Sequence, residues 1–333
     1  MSKVIVKNCY YFLLKGRYIA FFVIKLYQIY LKYRGGNNMK KILLALFSFI
    51  FIFSIVGCTA KTETKKEEKV IKMGFVPLKN SEKLVEDLKP ISDYLSERLG
   101  VKVEAFTASN YIGVVEGLGS GSVDFGIIPP FSSLLAQKQS SAKPILTSKG
   151  KTGKPGYTAE LYVRKDSGIK SLQDVKGKKV AFVDPSSSSG YIYPGAMLVE
   201  AGLNLDKDIS YQFSGGHDKS LQLLLNKDVD VIATFDGVED RYAKDFPQAK
   251  TDIQKLATSD MIPGIMVTTS SKMDKELQEK LEKALRDVEN DPKMKELFTK
   301  MFSITGFTDV DQDAYKKVEA TAKIMNVDLD KVK

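Results

Sequence analysis

The sequence has few of the residues that bind metal ions or form disulfides, because its 333 residues include one histidine, two cysteines and no tryptophan. The single histidine, His217, excludes a metal site built from several imidazoles, and a Ser-His-Asp triad would depend on that one residue. The cysteines are Cys9 and Cys58. The chain after Cys58 therefore has no thiol to pair, so it can form neither a disulfide framework nor a cysteine metal site. We expect no metal and no other cofactor.

Acidic residues are absent from the first 57 positions, which contain nine of the 50 Lys and Arg residues. The other 41 basic residues are matched by 41 acidic ones in residues 58–333. The formal net charge of +9 thus belongs to the N-terminal segment, and the body of the protein is neutral. Since a nucleic-acid-binding protein would show a basic stripe, the charge pattern predicts no nucleic-acid partner.

A short basic stretch precedes an apolar run near the N-terminus. Met39-Lys40-Lys41 is followed by apolar residues 42–55, which is the pattern of a secretory signal peptide. The run ends in Ile55-Val56-Gly57-Cys58, which resembles the bacterial lipobox, whose cysteine is lipidated. We therefore expect a lipoprotein signal peptide over 39–57, a palmitate-type lipid on Cys58, and a polar tether over 58–69 that holds an extracytoplasmic domain at the membrane. A single-pass anchor is the alternative.

Residues 1–38 fit a signal peptide poorly. Residues 10–33 are apolar and aromatic, but Lys15, Arg17 and Lys25 interrupt them, so they would make a poor membrane-spanning helix. Our hypothesis is that translation starts at Met39 and that 1–38 is a non-native extension read from upstream sequence. A genuine membrane-associated segment is the alternative.

Strand-like and helix-like segments alternate through the 276 residues from Cys58 onward. This length suits two lobes, and the alternation predicts an α/β fold with crossover helices. We expect strands over 69–76, 101–106, 123–128, 158–164, 179–183 and 229–234. We expect helices over 84–99, 111–118 (closed by Gly119), 196–201 and 221–225, and a long helical region over 272–302 that breaks near Asp291-Pro292. A loop rich in Ser, Lys and Gly is expected over 140–156.

A hydroxyl-rich turn lies between the apolar strand at 180–183 and the helix at 196–201. It runs from Asp184-Pro185 through serines 186–189 to Pro194. A turn that opens a helix offers free backbone N–H groups and a positive helix dipole, and here serines add further donors, so it is suited to bind an anion. A flexible serine linker is the alternative.

A weak internal repeat accompanies this pattern. Val123-Asp124 and Val229-Asp230 each follow a helix and a short polar turn, and each leads into an apolar strand. Two lobes built to one plan would leave this trace. Chance is an equal alternative, because the repeated unit is short.

Four stretches of the sequence occur together in a fixed order. They are residues 111–132, residues 166–178, the turn at 184–194 and Gly216-His217-Asp218. Together they resemble the phosphonate/phosphite type of substrate-binding protein of ABC importers, over roughly residues 70–302. The resemblance implies a type II periplasmic-binding fold with two α/β lobes and a ligand cleft between them. Lobe 1 would comprise 70–156 plus 264–333, and lobe 2 would comprise 157–263.

The resemblance also implies a set of ligand-binding residues: Ser187, Ser188, Ser189, His217, Tyr111, Tyr157 and Asp236. The serines would donate to an oxyanion, with serine at 188 where the family often has threonine, and His217 would be a further donor. The two tyrosines would donate hydrogen bonds to the ligand and exclude water from the cleft. Asp236 lies near the place where some members hold an acid for a substrate amine. A capping histidine and tyrosines that only pack in the core are the alternatives.

Lys and Arg are absent from the serine turn itself. A hydrogen bond to a charged partner contributes about 1.5–3 kcal/mol, and micromolar binding corresponds to about 8 kcal/mol. Five or six neutral donors would reach this value even after the cost of association. An oxyanion site without an arginine is therefore physically reasonable.

These observations predict an extracytoplasmic, lipid-anchored protein that captures a phosphonate, phosphite or phosphate-like oxyanion and delivers it to an ABC permease and ATPase complex. A ligand-sensing lipoprotein for a membrane receptor, or binding of a non-phosphorus solute, is the alternative. We do not expect an enzyme. The Ser-x-x-Lys spacing of Ser167 and Lys170 lies in a turn and lacks the companion motifs of penicillin-binding enzymes.

Overall fold

The computed structural model describes residues 69–77 and 81–332. Several predicted N-terminal features lie outside these residues: the extension 1–38, the signal peptide 39–57, the lipid site Cys58 and the tether up to residue 68. Within the described residues, no helix is both long and apolar enough to cross a membrane. The same part of the chain has no cluster of His, Cys, Asp and Glu residues that could hold a metal ion.

Strands and helices alternate along the described chain. The strands are β1 (Val70–Phe75), β2 (Lys102–Thr107), β3 (Phe125–Ile128), β4 (Lys143–Lys149), β5 (Tyr157–Arg164), β6 (Lys179–Phe182), β7 (Ser210–Phe213), β8 (Val231–Phe235), β9 (Ile253–Ile262), β10 (Met266–Thr269) and β11 (Gly306–Thr308). The α-helices are α1 (Ser81–Leu99), α2 (Tyr111–Ser120), α3 (Pro130–Ser140), α4 (Tyr193–Glu200), α5 (Leu205–Asp208), α6 (His217–Leu225), α7 (Val238–Arg241), α8 (Ala249–Asp252), α9 (Lys275–Arg286), α10 (Pro292–Phe302) and α11 (Gln312–Ile324).

The first sheet has six strands in the order β11-β4-β10-β3-β1-β2. β1 pairs in parallel with β2 and β3, while β10 runs antiparallel between β3 and β4. The parallel pairs require crossover connections, which α1 and α2 provide. One face of α1 buries Leu84, Leu88, Ile91 and Leu95, and this spacing of three and four residues is the pattern that predicts a helix from sequence.

The second sheet has five strands in the order β7-β6-β8-β5-β9. β6 is parallel to β7 and β8, whereas β5 is antiparallel to β8 and β9. The chain enters this sheet between β4 and β5 and returns to the first sheet between β9 and β10. The predicted two-lobed α/β architecture is therefore confirmed.

Asp124 and Asp230 make the same pair of contacts in the two sheets. The Oδ2 of Asp124 accepts a 2.8 Å hydrogen bond from the backbone N–H of Lys72, and its own N–H donates to the Lys72 carbonyl. Asp230 does the same to Lys179, with a 3.0 Å bond to Oδ2. Each carboxylate thus binds the backbone at the start of the neighbouring parallel strand, which gives the repeated Val-Asp pair a structural role in both lobes.

Two sequence predictions need correction, and several elements were not predicted. The expected loop over 140–156 contains β4, because this polar segment gains its burial only by pairing with β10 and β11. Helix α2 does not end at Gly119 but continues to Ser120, and Gly121 adopts the left-handed conformation that ends it (φ 78°). The sequence patterns also missed strands β7, β9, β10 and β11, helices α3 and α11, and the short helices α5, α7 and α8.

One apolar cluster contains residues from both sides of the molecule. It brings Tyr111 and Phe131 from helices near the first sheet together with Val183 and Ile192 from the second. Tyr315 of α11 joins the same cluster, and its hydroxyl donates a 3.3 Å hydrogen bond to Ser133 in α3. The two lobes therefore share packed apolar surface behind the cleft, and α11 covers it.

Candidate ligand-binding cleft

A cavity of about 310 Å³ lies where the carboxyl ends of the parallel strands of both sheets meet. Ligands of open α/β sheets bind at such strand ends. The polar lining consists of Tyr111, Ser148, Lys151, Thr152, Tyr157, Thr158, Ser189, His217, Asp236, Arg241 and Ser303. The apolar lining includes Phe75, Val76, Ile127, Phe235, Met261, Ile265, Phe302 and Ile304. Five of the seven predicted ligand residues therefore lie along one cavity.

The serine turn closes on itself before it enters α4. Ser187 caps a single π-helical turn, Ser188–Ile192, and its Oγ accepts a 3.0 Å hydrogen bond from the Gly190 N–H. A Cβ on Gly190 would lie 2.5 Å from the Cβ of Val183, so the turn requires glycine to pack against the end of β6. Ser187 itself does not line the cavity.

Ser188 joins the turn to the other lobe. Its Oγ accepts a 2.9 Å hydrogen bond from the backbone N–H of Phe131, in the first turn of α3. The neighbouring Ser132 hydroxyl donates to the carbonyl oxygen of Ser186 at 2.9 Å. The hydroxyl oxygens of Ser187 and Ser188 thus accept hydrogen bonds from protein N–H groups, whereas Ser189 lies at the cavity wall.

Asp184 places a carboxylate at the start of helix α2. Its Oδ2 accepts a 3.1 Å hydrogen bond from the N–H of Tyr111, and its Oδ1 accepts from the N–H and the hydroxyl of Ser186. The first N–H groups of a helix favour a negative partner. In this structure that partner of α2 is a side chain of the opposite lobe, so Asp184 ties the two sides together behind the cavity.

His217 begins α6 and is buried beside the cavity. Its Nδ1 lies 2.8 Å from the hydroxyl oxygen of Thr234, and its ring meets the edge of Phe235 with the ring centroids 4.7 Å apart. Burial and then the charge of Arg241 lower the pKa of His217 from its ordinary 6.5 to about 3. The imidazole is therefore neutral at physiological pH.

Tyr111 and Tyr157 present phenols to the same cavity. Burial raises the pKa of Tyr111 well above its usual range, and the nearby Tyr242 and Asp184 act in the same direction. Burial also raises the pKa of Tyr157, which hydrogen bonds with Ser189 and Ser188 partly oppose. Both hydroxyls keep their protons and can donate to an anion.

Asp236 lies at the edge of the cavity with an exposed side chain. Its Oδ1 lies 3.5 Å from the ammonium of Lys255, which also pairs with the buried Glu160. A ligand amine would have to compete with Lys255 for this carboxylate. The geometry therefore gives Asp236 a cationic partner within the protein.

Arg241, which the sequence did not point to, lines the cavity. Exposed Lys151 is a second cation at its wall. Thr234, the partner of His217, was also missed. No local signal marks these residues: Arg241 ends a four-residue helix and Thr234 lies in an apolar strand, so only the tertiary fold brings them to the site.

Residues 73–315 match the family described as ABC transporter, phosphonate, periplasmic substrate-binding protein. The chain is 35% identical over 224 residues to the phosphate-import protein PhnD of Mycolicibacterium smegmatis, covering 63% of this chain and 69% of that protein. It is 26% identical over 226 residues to the phosphonates-binding periplasmic protein of Escherichia coli, covering 67% of each.

A solved structure has the same fold. PhnD1 from Prochlorococcus marinus, in complex with methylphosphonate, superposes with a TM-score of 0.70 at 20% identity, covering 78% of this chain and 99% of that one. Since the identity is low, this likeness bears on architecture. It agrees with the two sheets and the intervening cleft described above, and the predicted type II periplasmic-binding fold is confirmed.

Proposed function

Because the chain belongs to the phosphonate family of periplasmic substrate-binding proteins of ABC transporters, we propose that it captures a small phosphorus oxyanion in the cleft between its lobes. The candidates are a phosphonate, phosphite or phosphate. The observation that carries the proposal is the convergence of Ser189, His217, Tyr111 and Tyr157, from both sides of the molecule, on one cavity. Uncharged donors along one cavity can bind an oxyanion through charge-assisted hydrogen bonds.

Each of these residues has a proposed role. Ser189 and the two tyrosines donate hydroxyl hydrogen bonds to the oxyanion, and neutral His217 donates from Nε2. Ser187 and Ser188 hold the turn in shape, so that the first N–H groups of the turn, which lack partners within the helix, are directed at the anion. Asp236 contacts the outer part of the ligand.

The size and walls of the cavity support a ligand with an organic substituent. The cavity volume of about 310 Å³ is at the lower end of the range found for small-molecule sites. Methylphosphonate has one carbon, one phosphorus and three oxygens, so it would leave space beside it. Phe75 and Phe302, stacked with their ring centroids 5.3 Å apart, form an apolar wall for such a substituent.

Delivery to an ABC permease and its ATPase follows from the family. We assign residues 70–156 plus 264–333 to lobe 1 and 157–263 to lobe 2. Donors from both lobes engage the ligand only when the cleft is closed, so binding favours closure.

We propose no catalytic role, because Ser167 and Lys170 do not line the cavity and Nδ1 of His217 is engaged by Thr234.

We also propose that the protein is a lipoprotein outside the cytoplasm, with a signal peptide at 39–57, a lipid on Cys58 and a tether at 58–69. The lipobox-like residues before Cys58 support this, and the periplasmic family is consistent with it. Mass spectrometry of the membrane-bound protein should find an acylated N-terminal Cys58. A mature N-terminus at any other residue, or an unmodified Cys58, would contradict the anchor.

Isothermal titration calorimetry tests the ligand proposal. Full-length protein in detergent is titrated with methylphosphonate, phosphite, phosphate and 2-aminoethylphosphonate, and heat is expected for at least one. Absence of binding to all four would remove the phosphorus ligand. To separate import from sensing, the loaded protein is added to its permease and ATPase in liposomes, where ligand-dependent ATP hydrolysis is expected and its absence would favour the sensing alternative.

A further inference from the structure

Arg241 joins the two lobes at the cleft. It ends α7, which follows β8 of the second sheet, and its Nη1 donates a 2.6 Å hydrogen bond to the carbonyl oxygen of Lys300. Lys300 lies in the last turn of α10, which packs in the core of the first sheet. Carbonyl groups in the last turn of a helix lack partners within the helix and carry its negative dipole end. This carbonyl is therefore a good acceptor for a guanidinium.

The positive charge of Arg241 has no anionic partner in the part of the chain that the structure describes. Both acids beside it in α7 are engaged elsewhere: Asp240 pairs with Lys250 at 2.7 Å, and Glu239 accepts a 2.8 Å hydrogen bond from the Tyr162 hydroxyl. A guanidinium has five N–H donors, and the bond to Lys300 uses one. Arg241 is also one of the residues that line the cavity.

The surroundings of Arg241 keep its charge effective. The side chain is half-buried, and burial lowers its pKa without removing the charge of a guanidinium. The same charge helps to hold His217 neutral, so the two residues act on the same region of the cleft. A partly buried cation without a counter-ion is unfavourable until an anion arrives.

Resting on the proposed function, we infer that Arg241 is a specificity-determining residue: its guanidinium, held across the cleft by the Lys300 carbonyl, favours oxyanions with two negative charges over anions of the same shape with one. Neutral donors such as Ser189 and Tyr157 form hydrogen bonds with either kind of anion. A fixed cation is attracted more strongly by an anion with a second charge. At ion-pair distance in a partly screened site, this extra attraction corresponds to about a tenfold difference in affinity or more.

The test compares methylphosphonate with methanesulfonate, which has nearly the same shape but carries a single charge. Affinities are measured by calorimetry, or by displacement of methylphosphonate when binding is weak, at a pH above the second ionisation of the phosphonate. Wild-type protein is expected to prefer methylphosphonate. In Arg241→Gln, methylphosphonate affinity should fall about tenfold or more while methanesulfonate affinity falls less, so the ratio between the two ligands shrinks.

Two further variants control for charge and for folding. Lys244→Gln removes a positive charge from the exposed neighbouring surface and should leave both affinities unchanged. Arg241→Lys keeps the charge and should keep a ratio closer to wild type than Arg241→Gln does. Melting temperatures of the ligand-free variants show whether each one folds.

The outcomes separate the two proposals. If wild-type protein binds no phosphorus oxyanion, the proposed function is lost. If wild-type protein binds and Arg241→Gln lowers both affinities equally, Arg241 is only a link between the lobes, and the charge selection is wrong. Unchanged affinities in Arg241→Gln would overturn the inference outright, and so would Arg241→Lys losing the preference as fully as Arg241→Gln.

Discussion

The Nδ1 atom of His217 lies 2.8 Å from the hydroxyl oxygen of Thr234, deep in the second sheet. Because the imidazole is neutral, only one of its two nitrogens carries a proton. If the Thr234 hydroxyl donates to Nδ1, the proton lies on Nε2, which can then donate to an anion in the cleft. In the opposite arrangement, Nε2 would present a lone pair to the anion and repel it. Anion binding through Nε2 therefore requires the Thr234 hydroxyl to donate to Nδ1.

Replacing Thr234 should therefore weaken binding without any contact between Thr234 and the ligand. Thr234→Val keeps the shape but removes the hydroxyl that hydrogen-bonds with Nδ1, and we expect about a tenfold loss of affinity or more, as for one hydrogen bond to a charged group. Thr234→Ser keeps the hydroxyl and should bind nearly as well as wild type. Calorimetry with methylphosphonate measures both, and equal affinities for the two variants would contradict the tautomer argument.

The pH dependence of stability should report His217 directly, since it is the single histidine of the chain. Its folded pKa of about 3 lies below the ordinary 6.5, so between these values the unfolded state binds the extra proton. Stability is therefore full above the unfolded pKa and falls as the pH falls through it, by about 1–2 kcal/mol between pH ~7.5 and ~5.

His217→Gln should lack this component when both proteins are unfolded with urea across that pH range. Burial raises the pKa of Glu160, which adds a contribution of opposite sign, but this contribution is common to both proteins and cancels in their difference. If the stability of His217→Gln falls as steeply as that of wild type when the pH is lowered, the pKa of His217 is not depressed in the folded state.

Substitutions of the three serines should have different effects: two should lower the stability of the protein and one should weaken ligand binding. Ser187→Ala removes a helix cap and should cost about 1 kcal/mol. Ser188→Ala leaves the buried N–H of Phe131 without its partner and should cost about 1–3 kcal/mol. Ser189→Ala should change the melting temperature little but weaken methylphosphonate binding about tenfold or more. The prediction is wrong if Ser189→Ala binds like wild type, or if it destabilises the ligand-free protein as much as Ser188→Ala does.

Asp184 should matter more for stability than an exposed aspartate with a similar number of hydrogen bonds. Asp184→Asn removes the charge that accepts from the N–H of Tyr111 and from Ser186, and we expect a loss of about 2 kcal/mol. Asp174→Asn is the matched control, because exposed Asp174 accepts two backbone hydrogen bonds at 2.9 Å in a surface turn and should cost at most about 1 kcal/mol. Urea unfolding of both variants measures these losses. Equal losses in the free energy of unfolding would show that the contacts of Asp184 between the lobes add no stability.

The parts of the fold that sequence patterns predicted are those whose burial is periodic within one element. Leu84, Leu88, Ile91 and Leu95 form one helical face, and the apolar runs at β3 and β6 are continuous because both faces of those strands are covered. Strand β4 was missed for the opposite reason. Its polar and Pro-containing sequence becomes a strand only through pairing with β10 and β11, which lie more than a hundred residues further along the chain.

The candidate site divides in the same way. The hydroxyl-rich turn before a helix is a local pattern, so it could be recognised from residues 184–194 alone, although the chemical roles of its serines remain proposals. The engagement of Ser188 by Phe131 could not be foreseen, because that partner lies 57 residues away in the other lobe. Nothing in the sequence around Arg241 points to a cleft either.

The sequence by itself determined the alternation of strands and helices, the neutral body of the protein and the turn of hydroxyl groups, because each is a property of neighbouring residues. Only the tertiary structure decided which groups surround the cavity. It placed the carboxylate of Asp184 at the first turn of α2, the hydroxyl of Thr234 beside His217, and the side chain of Arg241 at the wall of the cavity. Contacts between distant segments form when the lobes pack together, and no local pattern encodes them.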